Sequence, residues 1–109
     1  PAMVRRLKEI GEKYRTTIYL LAPAGDGNMH PLLTYDPANK EETERIENAT
    51  REIFESSIAL GGTLTGEHGI GLAKKPFIPL EISPAEMQVW KNIKNCFDPN
   101  GIMNPGKFV

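Results

Sequence analysis

The sequence predicts an α+β fold, a largely antiparallel sheet with helices packed on one face, and three observations predict it. Two short β-branched or aromatic runs flank a glycine-rich turn. A long segment with apolar residues at three- and four-residue steps follows them. A second helix start, marked by serine, proline and glutamate, comes near the chain end. The core order strand, strand, helix, strand, helix fits helices segregated to one face of an antiparallel sheet.

Residues Val4 to Tyr14 mix charges with apolar Leu7 and Ile10 at helical spacing. Thr16 to Ala22 reads as a strand, since Thr17, Ile18, Tyr19 and Leu20 suit a pleated, half-buried surface. Gly25-Asp26-Gly27-Asn28 forms a turn. Met29 to Tyr35 returns to a strand pattern, and Pro31 confines it to an edge or a bulge. Asp36-Pro37-Ala38-Asn39 punctuates the chain before a helix over Lys40 to Leu60. Its apolar face carries Ile46, Ala49, Ile53, Phe54, Ser57 and Leu60. Gly61-Gly62 ends it, because glycine takes the left-handed cap conformation cheaply. Thr63-Leu64-Thr65 reads as a third, short strand, and Gly66 to Gly71 as a glycine-rich loop. Pro76 and Pro79 interrupt the next stretch. Ser83-Pro84-Ala85-Glu86 then supplies an N-cap, a proline at the first helical position and the glutamate of a capping box. That helix runs to about Cys96 and is expected to bury Met87, Trp90, Ile93 and Phe97, with Cys96 as a buried or half-buried small hydrophobe.

Composition bounds the function classes. The chain has 109 residues, enough for one small domain, with a net charge of −1. That charge gives no footprint for nucleic acid or an anionic membrane surface. The longest apolar stretch, Ile18 to Ala24, falls far short of the ~20 residues of a membrane span. A single cysteine excludes an internal disulfide and fits a reducing compartment, so a cytoplasmic location is expected. No segment resembles a dinucleotide-binding fingerprint.

Polar chemistry concentrates in two glycine-rich loops, Gly25 to His30 and Gly66 to Gly71, and both histidines of the chain lie there. Such loops also serve as plain turns. His30 and Glu67 are nitrogen and oxygen ligand types suited to zinc or a similar divalent ion. His68 is suited to abstract a proton near neutral pH. The Lys74-Lys75 pair reads either as solvated surface or as an attractor for a carboxylate substrate.

Five segments occur in order: Ala24 to Pro31, Gly61-Gly62-Thr63, Gly66 to Gly71, Phe97 to Gly101 and Asn104-Pro105-Gly106-Lys107. This series resembles the C-terminal domain of FAD-linked oxidases of the vanillyl-alcohol oxidase superfamily, in its glycolate oxidase and D-lactate dehydrogenase branch. The resemblance runs from about Thr16 to the chain end. It implies that residues 1–109 form a single domain, the C-terminal half of the family's C-terminal domain, itself part of a ferredoxin-like substrate (cap) domain. It further implies an absent FAD-binding domain that holds most of the cofactor. The reaction implied is oxidation of a D-2-hydroxy acid, of glycolate or lactate type, to the 2-oxo acid by hydride transfer to FAD.

The resemblance assigns His68 as catalytic base and substrate-binding residue, Asn28 and His30 as substrate-binding residues, and Asn104 as a cofactor contact. It assigns His30 and Glu67 to a metal, with the third ligand position occupied by Pro23, whose side chain cannot ligate. Expected partners are the FAD-binding domain, further oxidase subunits and a small hydroxy acid. The chain alone is expected to be inactive. Cutting a longer domain uncovers a sheet edge and an apolar face, so the isolated chain is expected to form a homodimer. Two other readings compete: a non-catalytic binding module, as in a truncated paralogue that lost its flavin domain, and a small metal hydrolase using His30, Glu67 and His68.

Overall fold

The computed structural model describes residues 2–108. Its elements are α1 (Ala2–Lys13), β1 (Ile18–Leu21), β2 (His30–Leu33), α2 (Lys40–Ala59), a 3-10 segment (Lys75–Leu80) and α3 (Pro84–Phe97). The fold is α+β, with one antiparallel two-stranded sheet. The register places Ile18 opposite Leu33, Leu20 opposite Pro31 and Leu21 opposite His30. Pro31 is tolerated because a two-stranded sheet consists of edges only.

The core lies where α1 crosses α2. Leu7, Ile10, Ala49 and Ile53 form it, and Ile18, Leu20 and Leu33 of the hairpin pack against it. Ile10 is fully buried, so truncation there would leave a cavity. Asn39 caps α2 by accepting from the Glu42 backbone N–H at 3.2 Å. Gly61, at φ +79°, lets the chain leave α2, with the Gly62 N–H returning to the Ser57 carbonyl at 2.9 Å. The α3 capping box forms as the sequence predicts, between Ser83 and Glu86 with Pro84 inside the first turn.

The third strand does not form. Thr63–Thr65 is a bend whose backbone bonds go to side chains instead of a ladder. The Ser57 hydroxyl donates to the Thr63 carbonyl at 3.1 Å, and the Leu64 N–H donates to the Glu81 carboxylate at 2.9 Å. Leu64 itself is buried. The stretch broken by Pro76 and Pro79 is the 3-10 segment, where fixed proline φ values suit a tight helix. It docks on α2 through Phe77, whose ring centroid lies 4.8 Å from that of Phe54.

The predicted burial of α3 is also corrected. Ile93 and Phe97 are exposed, Met87 and Trp90 are only partly covered, and Cys96 is exposed. The reason is that no other described helix or strand lies along this helix. Trp90 packs instead on Phe108 of the tail, with ring centroids 4.9 Å apart. The tail turns back at Asp98, a buried carboxylate that accepts from the Ile102 and Met103 backbone N–H groups, each at 2.9 Å, and from the Lys94 ammonium. No described helix is long and apolar enough to cross a membrane.

One charged cluster ties α1 to α2. The Glu52 carboxylate accepts from Arg6 at 2.7 Å, from the Tyr14 hydroxyl at 2.9 Å and from Lys13. The Lys13 and Tyr14 hydrogen bonds hold its carboxyl below its ordinary value of 4.5. A carboxyl lowered on folding stabilises fully above its unfolded value, and this contribution disappears as pH falls through the folded value. Glu52→Ala is therefore expected to cost about 0.5–1.5 kcal/mol at neutral pH, through the loss of its hydrogen bonds across the α1–α2 seam. The deficit relative to wild type should shrink below pH 4.5. Urea denaturation across that pH range checks both; equal stability of the two proteins at neutral pH contradicts the assignment.

Candidate functional site

Two loops meet on one side of the hairpin. The first leaves β1 through Gly25-Asp26-Gly27, is tightened by the Asn28 N–H donating to the Asp26 carboxylate at 2.9 Å, and delivers His30 as the first residue of β2. The second follows the Thr63–Thr65 bend and carries Glu67 and His68. Hydrogen bonds from Ser57 and to Glu81 hold its entry from either side.

The loops touch at Gly66. A Cβ there would stand 2.3 Å from the Asn28 side-chain oxygen and 2.9 Å from its amide carbon. With the Asn28 side chain in this position, only a residue without a side chain fits at the contact. The result is a cluster. His30 Nε2 lies 3.2 Å from Glu67 Oε1, and His68 Nε2 lies 3.7 Å from the same oxygen. The two imidazole rings are 5.1 Å apart, tilted by 43°. One ligand atom from each of the three residues falls within 4.8 Å of the others.

The cluster lines a cavity of about 930 Å³ together with Asn28, Thr65 and Lys74. That volume lies within the ~300–1,000 Å³ of ordinary ligand sites. His30 is the deepest of the three, with its side chain 26% exposed against 58% for Glu67 and 69% for His68. The rim of the site is thus the part open to a further surface. Lys74 is half-buried, and burial pushes its ammonium below the ordinary value of 10.5. Thr65 Oγ1 is buried without a hydrogen-bond partner among the described residues. No pattern in the sequence distinguishes Thr65 from its neighbours. Lys74 belongs to the Lys74-Lys75 pair that the sequence offers as solvated surface or as an attractor for a carboxylate.

The donor set suits a divalent ion. Two ligands bound at about 2.1 Å in a tetrahedron stand about 3.4 Å apart. The distances from Glu67 to the two histidines bracket that spacing. Pro23 is exposed and lies outside the cavity wall. Asn104 also lies outside it, in the exposed tail at φ +47°.

Gly66→Ala is expected to turn the Asn28 amide away, since the crowding falls on that side chain and not on backbone. The expected readout is a shifted Asn28 side-chain amide resonance; an unchanged resonance would show that the two residues do not touch.

Comparison with known proteins places the chain. Residues 1–108 match the family described as FAD linked oxidases, C-terminal domain. The chain is 47% identical over 105 residues to glycolate oxidase subunit GlcD of Bacillus subtilis, which covers 96% of this chain and 22% of that protein. It is 42% identical over 85 residues to the probable mitochondrial D-lactate dehydrogenase of Danio rerio, covering 78% of this chain and 17% of that protein. It is 37% identical over 111 residues to D-2-hydroxyglutarate dehydrogenase of Stutzerimonas stutzeri, covering 98% and 24%. The chain spans about a fifth of the length of these curated relatives. With its paired loops and its family match over almost every residue, the chain belongs to the C-terminal domain family of the FAD linked oxidases.

Proposed function

We propose that this chain is the substrate side of a flavin-dependent oxidoreductase that converts a D-2-hydroxy acid of glycolate or lactate type to its 2-oxo acid. The observation that carries the reading is the convergence of Asn28, His30, Glu67 and His68 on one cavity, in a chain whose relatives are named for such substrates. The chain corresponds to the second half of the family's C-terminal domain, with FAD held mainly by a separate domain. When bound, FAD supplies the two-electron acceptor for the hydride leaving the α-carbon.

The chain's own residues handle the proton and the position. His68 takes the proton of the substrate hydroxyl as the carbon–oxygen bond becomes a carbonyl. Glu67, 3.7 Å from its Nε2, stabilises the imidazolium that results. Asn28, fixed against Gly66, and the deeper His30 orient the substrate oxygens. A divalent ion such as zinc would sit between His30 and Glu67 and draw electron density from the hydroxyl. Asn104 would meet the flavin from the tail. Because the rim is exposed and the nucleotide is held elsewhere, the isolated chain is inactive. The exposed Ile93 and Phe97 of α3 mark the face that the flavin domain, another oxidase subunit or, in the isolated chain, a second copy would cover.

A second reading has an observation of its own. His68 lies close enough to share the ion with His30 and Glu67, which would make it the third ligand in place of the residue missing at Pro23. Its Nε2 cannot ligate and accept a proton at once. The two readings differ in their outcomes. In the flavin-containing protein that carries this segment, His68→Ala is expected to slow flavin reduction by about 10²–10⁴-fold, measured by stopped-flow absorbance, with zinc affinity unchanged by calorimetry. Undiminished reduction removes His68 as base, and a large loss of zinc affinity makes it a ligand. Separately, Pro23→His is expected to raise zinc affinity in the isolated chain, since it returns an imidazole to the loop that ends at His30; identical titrations for both proteins would contradict the assignment of Pro23 as the missing ligand position.

A further inference from the structure

We propose that Lys74 recognises the carboxylate of the acid bound in this cavity. The inference rests on the functional reading above and adds the group that reads the substrate's charge. The chain carries 13 lysines and arginines, and among the described residues Lys74 is the one that lines the cavity. The acidic side chains at the same wall are Asp26 and Glu67. A carboxylate entering there meets two negative charges, and a positive one at the same wall favours its binding.

Lys74 is free to supply it. Several other cations of the chain are occupied, Arg6 and Lys13 with Glu52, Arg45 with Glu42, and Lys94 with Asp98, and the cations that are not lie outside this cavity wall. The neighbouring Lys75 donates to the Gly106 carbonyl at 2.8 Å. No carboxylate among the described residues lies within salt-bridge distance of the Lys74 ammonium. It is nevertheless half-buried, and burial disfavours its charged form. An ammonium partly withdrawn from water without a counter-charge gains more from an arriving anion than a solvated one does.

Its backbone is also held. The Lys74 N–H donates to the Ile70 carbonyl at 3.2 Å, which closes the turn after the Glu67–His68 loop. One chain segment therefore carries both His68 and Lys74 to the wall of the same cavity.

The test uses the 109-residue chain in chelator-containing buffer, so that no metal contributes, with oxalate, D-lactate and neutral lactamide as probes in a nuclear magnetic resonance titration. Lys74→Met is expected to weaken oxalate and D-lactate by roughly tenfold, the loss of one charge-assisted hydrogen bond at a half-exposed site, and to leave lactamide unchanged. Lys74→Arg is expected to retain most of the affinity. Wild-type oxalate affinity in Lys74→Met overturns the proposal while leaving the functional reading standing. Equal affinity of the wild-type chain for D-lactate and lactamide overturns it too, and does not depend on any variant folding. Absence of carboxylate binding at the cavity in the wild type overturns this proposal, while the functional reading is tested separately by flavin reduction in the flavin-containing protein.

Discussion

The contact between the two glycine-rich loops, Gly66 against the Asn28 side chain, is the constraint on which the site depends. A Cβ at Gly66 would displace the Asn28 amide from its present place. With the loops in contact, Glu67 reaches His30 at 3.2 Å and the two imidazoles stand 5.1 Å apart. Each loop is anchored at its far end by a different device. The sheet ladder fixes His30 opposite Leu21, while side-chain bonds from Ser57 and to Glu81 fix the approach to Gly66. The site is thus a contact between two independently tethered turns, and small backbone changes at that contact move all of its functional groups at once.

Those tethers in turn depend on the α1–α2 core. Leu7, Ile10, Ala49 and Ile53 bury the face of α2 that the hairpin leans on, and Glu52 gathers Arg6, Lys13 and Tyr14 across the same seam. The far half of the chain is built differently. Beyond the 3-10 segment, α3 exposes Val89, Ile93 and Phe97, and the tail that follows it is shaped by the hydrogen bonds of Asp98. Apolar surface of this kind on a helix is suited to a partner surface.

Much of this was legible from residue types. Ser83 and Glu86 announce a capping box three residues apart, and Ile46, Ala49 and Ile53 announce a buried helix face; both are local signals that need no tertiary information. Thr63–Thr65 looked like a strand because threonine and leucine suit one. Whether such a run finds a ladder depends on a partner distant in sequence, and here Ser57 and Glu81 took its backbone bonds first. The apolar stripe of α3 was legible, but its covering was not, since periodicity says which face is apolar and not what lies against it. His30, Glu67 and His68 could be picked out as chemically capable, and Lys74 could be weighed in two ways. Their common cavity is a property of the loop contact, which no spacing in the chain encodes.

If the loop contact alone assembles the site, neither metal nor flavin is required for His30 and His68 to meet. Cross-relaxation between the His30 and His68 ring protons in the metal-free 109-residue chain tests it most directly. The rings stand 5.1 Å apart between centroids, so cross-peaks between them are expected without any added ligand. Their absence in the metal-free chain, with appearance only after zinc is added, would mean that the ion gathers the loops and that Gly66 merely permits it.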